Sequence, residues 1–187
     1  LDIVLDVIPA ERGVVLLLEK EAGMRPAVMR MAQGCAADPH LPLSRAVVNE
    51  CLERRASVLS HDLRADPRSP SAAGGAAGHT RSALCAPLAC GDRTLGAIYL
   101  DTGSQNGAFG ERDVEFLGGI AHHAGLALHR VELVDSLERL FVGAVETLVA
   151  AVEAKDIYTY GHSARVSKLA RRIAEGMGLP EGDQERV

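Results

Sequence analysis

The 187-residue sequence has no tryptophan, three phenylalanines and three tyrosines. So few aromatics exclude a stacking platform for single-stranded nucleic acid. They also require a core built from valine, leucine, isoleucine and alanine. Cationic excess is missing too. Twenty Lys and Arg stand against 25 Asp and Glu, a net charge of −5, which argues against a nucleic-acid partner held by phosphate contacts. No run of about 18 apolar residues occurs, so no membrane span is predicted. Residues 1–8 mix acidic and apolar side chains without a basic n-region, unlike a signal peptide. The four cysteines, Cys35, Cys51, Cys85 and Cys90, show no CxxC or paired spacing. They read as reduced thiols serving as small apolar residues, which points to the cytoplasm. What remains, 47% apolar and 24% charged residues, suits a globular domain with an appendage. The helical pattern still running at Val187 reads as a piece of a longer protein.

The order of elements follows from periodicity. Leu1, Val4, Leu5 and Ile8 share a helical face that Pro9 stops. Residues 13–20 open with a continuous apolar run suited to a strand buried on both sides, with 24–32 as its hairpin partner. Pro42-Leu43-Ser44 opens a helix with Ser44 as N-cap and Val47, Val48, Cys51 and Leu52 on one face. Residues 56–62 read as a short strand, and 63–80 as a long loop. Residues 82–90 and 95–101 form a hairpin about the turn 91–94. From Glu111 to about Lys155 apolar residues recur at helical spacing without a proline. Leu133, Leu137, Leu140 and Ala144 step by four and three, a heptad seam. Such a helix, about 65 Å long at 1.5 Å per residue, exceeds what one small domain covers. Part of it must pack against a partner chain or bridge two domains, and both are expected: a parallel homodimer through that seam and a bridge between domains. A further helix starts near His162 and ends at Gly178 and Pro180, and the charged tail begins another.

This order resembles a GAF domain over about residues 1–132. The resemblance is carried by Pro87-Leu88, by Gly96-Ala97-Ile98-Tyr99-Leu100-Asp101, by Phe109 followed by Asp113, and by the strand 11–19. It implies an α+β fold: a GAF/PAS-like antiparallel sheet flanked by helices, with a long C-terminal signalling helix. It also implies a small-molecule effector, or a dimerisation scaffold without a ligand as the alternative. Of the Asn-Lys-Phe-Asp-Glu signature of cyclic-nucleotide-binding members, Phe109 and Asp113 alone match, and Val114 stands where Glu would. Phe109 and Asp113 are therefore weak pocket candidates that also read as a core plug and a first-turn carboxylate. The loop 63–80 lies where members cover a pocket. A sulfoxide-reductase role would need reactive thiols, and Cys85 and Cys90 have opposite strand parity. His40, His61 and His79 fall near loops, where a haem would have to find its ligand. His122, His123 and His129 lack the i, i+4 spacing of a metal pair.

A second resemblance covers the segment from Val145. Lys155-Asp156-Ile157-Tyr158-Thr159-Tyr160-Gly161-His162-Ser163-Ala164-Arg165-Val166 is similar to the opening of HD-GYP domains, metal-dependent cyclic di-GMP phosphodiesterases. The resemblance implies that His162 is one nitrogen ligand of a divalent metal pair (Fe, Mn, Ni or Zn) in the parent protein. The other ligands would follow Val187, so this chain is expected neither to hold the metal nor to hydrolyse. Tyr158 stands where some members place a third-metal carboxylate. His162 heads a stripe of Val166, Leu169, Ile173 and Met177 expected to be buried, with Thr159 a candidate N-cap. The divisions expected are a sensory domain over 1–132, a coiled-coil helix over 133–155, and an all-α HD start over 156–187.

Overall fold

The computed structural model describes residues 1–19, 23–33, 43–63, 82–103, 107–154 and 161–184. The chain divides into two units, Leu1–Val131 and Glu132–Val187. The first holds α1 (Asp2–Val7), β1 (Arg12–Glu19), β2 (Gly23–Met31), α2 (Arg45–Arg54), β3 (Val58–Ser60), β4 (Ser82–Cys90) and β5 (Arg93–Thr102). It also holds the first half of α3 (Glu111–Glu153), a single unbroken helix of 43 residues.

The five strands form one antiparallel sheet in the order β2-β1-β5-β4-β3. Strand alternation sorts its side chains onto two faces. Leu84, Leu88, Ile98 and Leu100 point to one face and pack with Val4, Ile8, Phe109, Leu117 and Ala121 of the flanking segments. Val14, Leu16, Cys85, Ala97 and Tyr99 point to the other and meet Val47, Val48 and Cys51 of α2. The apolar run of β1 thus feeds both cores. Leu1 and Leu5 pack beside the first core, as the α1 face requires.

Three local expectations change. The β4–β5 turn is tighter than 91–94, because Cys90 pairs directly with Arg93. Gly91, at φ 56°, supplies the left-handed conformation a two-residue turn demands. Thr94 instead joins the strand, with a register shift between Leu88 and Ala89. Ser44 occupies the N-cap of α2, but its side chain makes no capping bond. The strand predicted over 56–62 shortens to β3, Val58–Ser60. Loop 63–80 lies almost wholly outside the described residues, as do Cys35, His40 and His79.

The second unit contains the rest of α3, α4 (His162–Gly176) and α5 (Glu181–Gln184). Gly161 takes the N-cap of α4, and Thr159 lies outside the described residues. Gly178, at φ 72°, follows its end, and Pro180 O accepts the N–H of Asp183 as α5 starts. The stripe expected to be buried is uncovered: Val166, Leu169, Ile173 and Met177 are all exposed. Within this unit α4 keeps α5 as its neighbour, too short to cover that face. None of the described helices is long and apolar enough to cross a membrane.

Candidate ligand pocket and the GAF domain family

A cavity of about 460 Å³ lies on the α2 side of the sheet, lined by Leu16, Met24, Pro26, Leu43, Arg45, Val48 and Asn49. Its floor comes from the β1–β2 pair. Register shifts between Val15 and Leu16, so that Leu16 faces Pro26. Proline is tolerated there because β2 is an edge strand and needs no donor on its outer side. Behind Leu16 the strands are unusually close: a Cβ on Gly96 would stand 2.0 Å from Leu16 O, so position 96 admits glycine alone.

Helix α2 forms the opposite wall. Val48 faces the core, while Arg45 and Asn49, four residues apart, share the exposed face at the cavity mouth. Arg45 stands in the first turn, where no acidic residue offsets the helix dipole. The cavity therefore combines an apolar body with a guanidinium and a carboxamide, the pattern of small-molecule sites.

A buried polar network fixes the start of α2. Ser44 N–H donates to the Tyr99 hydroxyl at 3.3 Å. Tyr99 is fully buried, and burial pushes its phenol well above the ordinary value. The phenol bonds Asp101, whose carboxylate pairs with the Arg12 guanidinium through Nε at 3.0 Å and through Nη2. Burial raises the Asp101 carboxyl, and Arg12 and Tyr99 oppose that rise. Arg12 and Asp101 face each other in register on β1 and β5. Desolvated charges need such a partner. The Tyr-Leu-Asp of β5 thus ties the cavity wall to the sheet.

A GAF domain family model matches residues 1–129. The chain belongs to the GAF domain family. No curated protein matches the chain. The GAF domain/HD domain protein of Geobacter sulfurreducens is 14% identical, with a TM-score of 0.55 over 71% of this chain and 89% of that one. A methyl-accepting chemotaxis protein is 21% identical, with a TM-score of 0.51 over 69% and 84%. The type II free methionine-R-sulfoxide reductase of Thermoplasma acidophilum is 16% identical, with a TM-score of 0.53 over 67% and 84%. At these identities the likeness is one of fold.

In this GAF domain Phe109 is buried in the core on the α1–α3 face, away from the cavity. The Asp113 carboxylate accepts the Gly110 N–H at 2.8 Å at the start of α3. Neither residue lines the cavity. Cys51 and Cys85 are buried side by side in the α2 core. The Cys51 contact first, then burial, pushes the Cys85 thiol up, the reverse of an activated nucleophile. Cys90 lies half-buried at the end of β4.

Of the histidines, His61 contributes its backbone carbonyl to Ser82 Oγ and Gly107 N–H. His122 and His123 stack edge-on at 5.9 Å. His129 Nδ1 is buried without a hydrogen-bond partner. His162 is the exposed first residue of α4. Among the described residues no three His, Cys, Asp or Glu side chains group as a metal site would need. Leu133, Leu137, Leu140 and Ala144 are all exposed on α3. Their heptad spacing is legible in the sequence, whereas the cavity is not, because Leu16, Pro26 and Val48 meet only through the fold.

Proposed function

We propose that this chain is the sensory and transmitting part of a signalling protein. A small molecule enters the cavity between β1, β2 and α2, and α3 carries the response toward the segment that begins at His162. The observation that carries this reading is the pairing of two features: a cavity walled by the start of α2, and a long helix, α3, with uncovered apolar residues beyond Val131. The cavity suits a ligand with an apolar body and one hydrogen-bond-accepting or anionic group. Binding biases the equilibrium between arrangements of α3 in a parallel homodimer, as a population shift.

The similarity of residues 155–166 to HD-GYP domains supports a metal-dependent cyclic di-GMP phosphodiesterase downstream, in a cytoplasmic protein. One protein of the same fold, from Geobacter sulfurreducens, carries a GAF domain and an HD domain together. Among the described residues none groups with His162 as the ligands of a metal would, and no catalytic step is assigned to this chain.

Anilinonaphthalene sulfonate, an apolar bicycle with one anionic group, tests the pocket. It is expected to bind with blue-shifted fluorescence, more weakly to Arg45→Ala, and not to Val48→Trp, which fills the cavity. Equal binding to all three chains would place the dye elsewhere and support the scaffold reading.

A further inference from the structure

Helix α4 starts without a cap of its own. Its N-cap is Gly161, at φ 71°, and no side chain caps it from that position. The first amides of any helix lack partners within it and need an outside acceptor. Here the acceptor comes from the preceding helix. The carboxylate of Glu153, the last residue of α3, takes the Gly161 N–H on Oε2 at 2.6 Å and the Ser163 N–H on Oε1 at 2.7 Å. The Ser163 hydroxyl bonds the same carboxylate. The two amides belong to the residues on either side of His162, so one side chain brackets that histidine.

We infer that Glu153 is a clasp, a positioning residue that fixes where α4 begins and how it leaves the end of α3. Three features make the carboxylate suited to this. Its two oxygens reach two separate amides, one each. Its negative charge meets the positive end of the α4 dipole. And it closes a connection of only eight to ten residues, so holding it orders the exit of one helix and the entry of the next together. The donors also hold the Glu153 carboxyl below the usual carboxylate range, the Ser163 hydroxyl most of all. The clasp rests on the geometry of this unit alone and does not depend on what His162 binds. That it hands a rotation of α3 to α4 rests on the reading of α3 as a transmitter.

Amide hydrogen exchange and nitrogen relaxation, resolved by nuclear magnetic resonance on the whole chain, test both statements. Glu153→Ala is expected to speed exchange at Gly161 and Ser163 at least tenfold, with amides of β4 and β5 unchanged. Glu153→Gln keeps one acceptor oxygen and is expected to release one of the two amides more than the other. Unchanged exchange at both amides in Glu153→Ala overturns the clasp, and so does acceleration spread equally into β4 and β5. In the unaltered chain the end of α3 and α4 are expected to tumble with one correlation time, and α4 with a shorter one in Glu153→Ala. Two different correlation times before any substitution overturn the coupling of α3 to α4. The oligomeric state, measured separately, tests the transmitter reading itself.

Discussion

Tyr99 concentrates the chemistry of the pocket wall in one side chain. Its ring fills the α2 core, and its hydroxyl receives the Ser44 amide and bonds Asp101. Tyr99→Phe keeps the ring and removes the hydroxyl, and is expected to cost about 1–2 kcal/mol in urea unfolding. A pH effect separates this from mere packing. The phenol titrates well above 10.0 in the folded chain because it is desolvated, while the unfolded chain ionises near the ordinary value. Above pH 10 the unfolded state therefore releases a proton that the folded state keeps. Stability then falls with pH, by at most about 1.4 kcal/mol per unit for one proton. Between pH 10 and 11 the unaltered chain should lose stability more steeply than Tyr99→Phe; equal slopes would contradict a buried neutral phenol. The sequence displayed this tyrosine as part of a family motif but not its partner. Ser44 lies 55 residues away, and Arg12 lies 89 residues from Asp101. No local pattern links residues so far apart.

At the scale of elements, α3 docks on the sheet through a glycine. A Cβ on Gly125 would stand 2.7 Å from Ala89 O and 2.8 Å from Ala89 N, whereas one on Gly119 would meet nothing within 4 Å. The two positions predict opposite outcomes for the same change. Gly125→Ala should push α3 off the end of β4 and lower stability by about 1–3 kcal/mol. Gly119→Ala should raise it by about 0.5–1 kcal/mol, through the lower entropy of the unfolded chain. Thermal unfolding of the two variants checks both signs, and a stabilising Gly125→Ala would refute the docking. Element type was legible wherever periodicity was strong: the apolar run of β1, the alternation of β4, the helical repeat of α3. Element ends were less so. The tight turn at Gly91 and the idle Ser44 hydroxyl depend on strand pairing and on which group reaches a backbone amide first. Both are tertiary choices.

For the whole molecule, the decisive feature is uncovered apolar surface on α3 beyond Val131. Leu137 is 57% exposed, Leu140 and Phe141 are each 70% exposed, and Leu148 is 67% exposed. Side chains of this kind, repeated at heptad spacing, lose water contact when a second helix lies alongside. Leu137→Asp changes a side chain outside both cores of the first unit, so the sheet should remain folded while association fails. Sedimentation equilibrium of the unaltered chain at micromolar concentration is the most direct test. The account predicts twice the 19.8 kDa chain mass, falling to a single chain mass in Leu137→Asp with an unchanged circular dichroism spectrum. A single chain mass for the unaltered protein, or an undiminished dimer in Leu137→Asp, would contradict it.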